Sequence, residues 1–242
     1  MKRAAPFVAL ASLLVAAPAQ AYRPFDETDA AVSELHEFEL ELGPVGYTHD
    51  AAGGAYTPGF ILNYGVIPRV ELVFDAHHAL LYGGVDAAAR RRELDTAMLA
   101  KGVAREGCLQ GQSGVSIAVE AGALLPTVPT AGGVGASVAT IVSQRWSEAT
   151  LHVNLEGDFT REHRFAFVGG AIGEGPIAWT VRPVFESYVA REGDLPTFVS
   201  GLGGAIWRAS EHLDLDAAVR VGHQTNENVF EVRAGLTWTV GL

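Results

Sequence analysis

Cysteine, lysine and methionine are scarce: the 242 residues hold one Cys (Cys108), two Lys (Lys2 and Lys101) and two Met. A single cysteine excludes an intrachain disulfide even in an oxidising compartment. Cys108 sits between Gly107 and Gly111 with no His or Asp at a motif spacing that would activate a thiol, so it reads as a turn residue. The formal charge is −11. Acidity with so few lysines excludes nucleic acid as a partner, because phosphate contacts require clustered Lys and Arg.

Long apolar runs are also missing beyond the N-terminus. Lys2 and Arg3 precede the apolar stretch Phe7 to Ala17, which ends in Pro18-Ala19-Gln20-Ala21 before Tyr22. Positive flank, short apolar core and small residues are the pattern of a secretory signal peptide cleaved after Ala21. Losing Lys2 and Arg3 takes the formal charge from −11 to −13. After that point no stretch reaches the roughly 20 apolar residues a membrane helix needs, so membrane residence requires a barrel. The expected division is 1–21 signal peptide, 22–34 periplasmic segment and 35–242 barrel.

What is abundant is alternation. In residues 229–242, Phe230, Val232, Ala234, Leu236, Trp238 and Val240 share one face, while Glu231, Arg233, Thr237 and Thr239 share the other. An unbroken apolar row opposite a charged row is the pattern of a lipid-facing and lumen-facing pair. It recurs at Glu37 to Leu42, at Phe60 to Val66, and at Val70 to His77 after Ile67-Pro68. It returns at Leu94–Val103, Val115–Leu125, Val134–Trp146, Ala149–Glu156, His163–Ile172, Ile177–Tyr188, Thr197–Trp207 and Leu213–Gly222. The fold expected is all-β: a closed antiparallel transmembrane β-barrel of 12 strands in the outer membrane, reached by export.

An even count puts both barrel ends on the periplasmic side, with short turns there and longer loops outside, including Gly43 to Thr57, Ala79 to Arg92 and Pro126 to Gly133. Arg105 to Ser113 is the exception on the periplasmic side. Under this topology Trp146, Trp179, Trp207 and Trp238 form an outward ring at the periplasmic interface, and Phe60, Phe159, Phe165, Phe185 and Phe230 an outward ring at the extracellular one. Pro183 inside a strand predicts a bulge or a lost hydrogen bond. Asp86 to Asp95 reads as a short helix by propensity. Its Arg90 to Arg92 face either lipopolysaccharide phosphates or solvent. Closure pairs the last strand with the first, near Phe38 to Leu42, and is expected to bring Glu231 and Arg233 opposite Glu37, Glu39 and Glu41.

The lumen is expected to be lined by Glu37, Glu39, Glu41, Glu71, Asp75, His152, Glu156, Arg182, Glu186, Asp216, Arg220, Glu231 and Arg233. Either these charges select permeants through an open pore, or they pair and plug a barrel whose width lies between the filled eight-strand and open sixteen-strand cases. His77-His78 lacks a further ligand at metal spacing on its strand and reads as a rim pair. No metal, cofactor or catalytic residue is expected. Ser143, His152 and Asn154 on adjacent inward rows keep an outer-membrane lipid hydrolase open as an alternative.

Arg23-Pro24 with Thr28-Asp29-Ala30 and Phe38-Glu39-Leu40-Glu41-Leu42-Gly43 resemble the start of mature proteins in the family described as MetA-pathway of phenol degradation. Further matches in order are Leu124-Leu125-Pro126, Leu151-His152-Val153-Asn154-Leu155, Arg182-Pro183-Val184-Phe185-Glu186, Leu215-Asp216-Ala217-Ala218 and Arg233-Ala234-Gly235-Leu236-Thr237-Trp238. The resemblance implies an outer-membrane barrel that passes or handles small, often hydrophobic compounds, and no catalytic residues. The reading is a monomeric channel or passive transporter embedded among outer-membrane lipid and lipopolysaccharide, its permeant unidentified; a plugged structural or surface-binding barrel is the other alternative.

Overall fold

The computed structural model describes residues 23–50, 53–82, 91–129, 132–225 and 227–241. The expected signal peptide, residues 1–21, lies outside the described residues. Thirteen strands follow one another: β1 (Glu37–Asp50), β2 (Gly53–Tyr56), β3 (Gly59–Ile67), β4 (Val70–Tyr82), β5 (Arg91–Arg105), β6 (Ser116–Val128), β7 (Gly135–Arg145), β8 (Thr150–Phe159), β9 (Phe165–Glu174), β10 (Val181–Glu192), β11 (Phe198–Arg208), β12 (Leu213–Gln224) and β13 (Glu227–Gly241). Strands β2 and β3 run end to end between β1 and β4, so they form one stave. The result is twelve staves, each antiparallel to its neighbours, with β13 closing on β1. Closure leaves no free sheet edge, which a barrel in hydrocarbon requires.

Alternation along each stave sorts side chains as the sequence pattern demands. On β8, Leu151, Val153 and Leu155 are 40%, 39% and 54% exposed, whereas His152 and Asn154 are each 1% exposed. The outside is therefore apolar and the inside polar, the reverse of a water-soluble sheet. No helix among the described residues is long and apolar enough to cross a membrane; the strands do so.

Several local expectations are corrected. Gly43 to Thr57 is mostly strand: β1 continues to Asp50 through a register shift between Leu42 and Val45. Pro44 falls in that shift and Pro58 in the gap between β2 and β3, where a missing N–H breaks no ladder bond. Residues 91–95 open β5 rather than ending a helix, because pairing with Ala79 to Leu81 and His77 outweighs local propensity. Asp86 to Arg90 lie outside the described residues. With strands this long, the contrast between short turns and long loops fades. A long described connection, residues 106–115, lies at the end where β1 begins and β13 finishes, here called the base.

Pro183 causes no bulge. The β10–β11 register runs unbroken through Pro183↔Ala205. Its carbonyl accepts from Gly175 N at 2.9 Å, and its nitrogen points to the same side, beyond the last residue of β9. What the proline gives up is the reciprocal bond to Gly175, at the end of the ladder. At the seam, Glu37, Glu39 and Glu41 face Gly241, Thr239 and Thr237, while Arg233 and Glu231 face Gly46 and Thr48. The longer β1 moves that charged pair up the barrel, away from the three glutamates.

Candidate functional site

The lumen is the candidate site, and its floor is a segment the sequence reading placed outside the barrel. Residues 23–34 run through the lumen instead of hanging below it. Polar inward side chains hold their backbone: Glu186 Oε1 accepts from Asp26 N at 2.9 Å and Glu27 N at 3.0 Å, Ser143 Oγ from Ala30 N at 2.9 Å, and Glu71 Oε2 from Ser33 N at 2.6 Å. Asn154 donates to Thr28 O at 2.8 Å, and Arg233 to Pro24 O at 2.8 Å. At its foot the segment meets β3 by a single parallel bridge, Leu35↔Gly65, with His36 N donating to Gly65 O.

Glycines make the room. A Cβ on Gly65 would lie 1.8 Å from Glu34 O, one on Gly170 would lie 2.9 Å from Glu27 Cγ, and one on Gly235 would lie 2.4 Å from Arg23 Nε. Inward glycines opposite a polar N-terminal stretch were the sequence signal for this docking. Nothing in strand periodicity alone pairs the two.

Charge is matched locally on the β10 to β13 wall. Arg220 reaches Glu186 at 2.5 Å, Asp26 at 2.9 Å and Glu231 at 3.4 Å, and its guanidinium lies 4.7 Å from the Tyr188 ring centre. Arg233 bonds Asp26 and Glu231, both at 2.7 Å, and Arg23 bonds Asp216 at 3.3 Å. Burial opposes ionisation of Asp26, but Arg233 and Arg220 together hold its carboxyl below the ordinary range. Neighbouring Glu27 goes the other way: burial first, then Glu186 and Asp26, push it up to about 7.

The lumen-lining residues expected from sequence all sit on inward rows. Glu39, Glu41, Glu71, His152, Arg182, Glu186, Asp216 and Arg220 are buried, and Glu37, Asp75, Glu156, Glu231 and Arg233 are half-buried. Sequence reading missed Asn63 and Lys101, both fully buried, and Glu174. It also missed apolar inward positions such as Ile141, Ile172, Leu202 and Ile206.

The nine aromatics point outward and are exposed. Trp146, Trp179, Trp207 and Trp238 stand at or just beyond the base end of their strands, and Phe159, Phe165 and Phe230 toward the opposite end, the mouth; Phe60 is corrected to mid-barrel, where it pairs with Leu42 and Ala76, because β1 and β2 carry the sheet further up than expected. Phe185 is corrected: it pairs with Gly203 and Gly173 nearer the base, because β10 extends to Glu192.

Ser143 and His152 do meet, at 2.8 Å from Oγ to Nδ1. The third partner is Glu174, 3.0 Å from His152 Nε2, and not Asn154, which binds the segment. Arg182 in turn donates to Glu174 at 2.8 Å. The order is that of a serine hydrolase, yet Ser143 is fully buried and its oxygen already accepts the Ala30 N–H. The chain of bonds ends on the segment's backbone. Cys108 is also structural: it begins a single 3₁₀ turn, Cys108–Gln110, and its Sγ accepts from Arg145 N at 3.1 Å. Gln110 from this turn donates to Ala30 O, and Leu109 packs with Ala30, Ala118, Ala139 and Ile141, closing the base. His77 bonds Asp75 at 2.8 Å, and no group of three metal-binding side chains exists among the described residues.

Above the segment, toward the mouth, a cavity of about 660 Å³ is walled by Asp95, Asp158, Arg161, Phe167, Glu192 and Phe198 among others.

No protein-family model matches the sequence, and no curated protein matches it. Solved structures do. An outer-membrane channel from Pseudomonas putida F1 superposes with a TM-score of 0.68 at 9% identity, covering 89% of this chain and 100% of that one. The CymD monoaromatic hydrocarbon channel gives 0.55 at 10% identity (88% and 90%), and the KdgM porin in complex with disordered oligogalacturonate 0.55 at 8% (83% and 98%). At such identities the likeness speaks of the fold: a closed twelve-stranded barrel of the type found in outer-membrane channels and porins. Its apolar outer surface and these neighbours point to the outer membrane.

Proposed function

We propose that the protein is an outer-membrane channel or passive transporter for small molecules, hydrophobic ones included, whose lumen is closed from within by residues 23–34. The observation that carries this reading is how the segment is held. It joins no extended ladder, and its bonds run to individual polar side chains. A filler fixed by separable polar contacts can leave without breaking the barrel, whereas a solid structural core of interlocked side chains cannot. The names of the structural neighbours support transport, and the sequence resemblance to the MetA-pathway of phenol degradation family favours small hydrophobic compounds among the permeants. The hydrolase reading loses ground because its nucleophile would be sealed beneath Ala30.

Planar-bilayer recordings of the refolded barrel, with and without residues 23–34, test the proposal. Discrete conductance that rises several-fold on deletion is expected, with solute flux into vesicles in parallel. Silence from both proteins, while heat-modifiable gel mobility shows them folded, would overturn it.

A further inference from the structure

The two walls of the lumen are not equivalent in charge. On the β10, β12 and β13 side, Arg182, Arg220 and Arg233 answer the nearby carboxylates. Opposite them, between segment residues Phe25 to Thr28 and strands β3 to β8, lies a cavity of about 100 Å³. Five carboxylates line it, from Asp26, Glu27, Asp75, Glu120 and Glu156, with no Arg, Lys or His among its lining residues. Asp26 is paired with Arg220 and Arg233, and Asp75 with His77. Glu27, Glu120 and Glu156 make no ion pair among the described residues. Lys101 Nζ, on this wall, is taken by Glu71 at 3.1 Å.

Carboxylates alone would not define a ligand. Asn63 supplies an independent sign: it is fully buried, lines the same cavity, and its Oδ1 has no hydrogen-bond partner. Its amide orientation follows from chemistry, since Nδ2 donates to Glu41 at 3.2 Å and Glu39 at 3.3 Å, and carboxylates cannot accept from a carbonyl oxygen. A buried acceptor left empty costs about 1 to 3 kcal/mol. Against five carboxyl groups and this open acceptor the lining offers only the Thr28 hydroxyl and the Asn154 amide, which already donates to Thr28 O, so the chemistry the cavity lacks is a cation bearing several N–H groups.

Two features choose among cations. Among the described residues no three acidic or imidazole groups converge as a metal ion needs, which disfavours a divalent ion. The remaining wall is apolar, from Phe25, Ile61, Val73 and Leu99. A space of this size holds a molecule somewhat smaller than benzene, which fits a cavity of about 150 Å³. We infer that this cavity is a binding subsite for a small organic ammonium ion, its N–H donors meeting Glu120, Glu156 and Asn63 and its alkyl part meeting Phe25 and Leu99.

The inference deepens the channel reading and rests on it for physiological meaning, yet binding can be measured without transport. Calorimetric titration of the full-length barrel in detergent would use n-propylammonium, with n-propanol and propionate as neutral and anionic controls. Saturable binding of the ammonium at least tenfold tighter than either control is expected, weakened about tenfold or more in Glu120→Gln and in Glu156→Gln. Asn63→Leu should weaken it while leaving the acid count unchanged, and gel mobility would confirm that each variant folds. Equal affinity for n-propanol, no saturable binding, or glutamine variants that bind like the parent would each overturn the subsite. Conductance without ammonium binding would refute the subsite and leave the channel standing; binding without conductance would do the reverse.

Discussion

Replacing Glu186 by alanine removes the acceptor of two backbone N–H groups, those of Asp26 and Glu27, at 2.9 and 3.0 Å. Hydrogen bonds to a charged group contribute about 1.5 to 3 kcal/mol each. Arg220, which also loses Glu186, keeps Asp26 at 2.9 Å and Glu231 at 3.4 Å, so the arginine is not stranded and part of the loss is offset through the segment's own Asp26. Taking the lower value for each bond, docking weakens by about 3 kcal/mol, roughly a hundredfold in the ratio of docked to released segment. Glu186→Gln keeps a neutral acceptor about half as strong, so roughly a tenfold change is expected. A glutamate-specific protease reads this directly, because the bond after Glu27 is buried while docked. Where opening is fast relative to cutting, the rate follows the released population. Cleavage after Glu27 should rise in the order parent, Glu186→Gln, Glu186→Ala, with open probability in bilayers rising alongside. Cleavage and conductance of Glu186→Ala within twofold of the parent would refute the assignment of Glu186 as a latch.

Three further outcomes are expected. Glu27 holds its proton more tightly when docked, near pH 7, than in an exposed chain, so its contribution to docking is fully present below the ordinary carboxyl range and lost as pH rises through about 7; open probability in bilayers should be higher at pH 8.5 than at pH 6, and Glu27→Gln should abolish the difference. Gly65→Ala places a Cβ 1.8 Å from Glu34 O and must displace the foot of the segment, which faster cleavage after buried Glu27 and single-channel recordings would register without a change in barrel assembly. Leu155→Arg puts a charge on the exposed outer row of β8; folding into vesicles should lose about 2 to 4 kcal/mol if Leu155 lies near the bilayer midplane, measured by denaturant titration, and no loss would argue against a lipid-facing row.

Sequence periodicity carried far where the physics is local and repetitive. Each strand must place one row in hydrocarbon and the other in the lumen, so parity alone located Glu186, Arg220, His152 and the outward tryptophans. Parity also predicted the strand count and the partner of the last strand. Strand ends were less legible: Gly43 and Pro44 look like loop residues by composition, yet a register shift lets β1 run on through them, and Pro58 fits the gap between β2 and β3. Residues 91–95 favour helix in isolation, and only a neighbouring ladder makes them strand.

The lumen's contents were decided by tertiary structure. Arg23 to Glu34 carry no period that marks them as interior, because an irregular segment buries its backbone against side chains supplied by β4, β7, β8, β10 and β13, up to 209 residues away in sequence. The Asn63 amide, too, lies 12 to 93 residues in sequence from the carboxylates that share its cavity. The sequence by itself determined that twelve alternating strands would close around a polar interior, since each strand satisfies that rule within its own residues. What fills that interior, and which charges find partners there, depends on groups brought together only when the barrel closes.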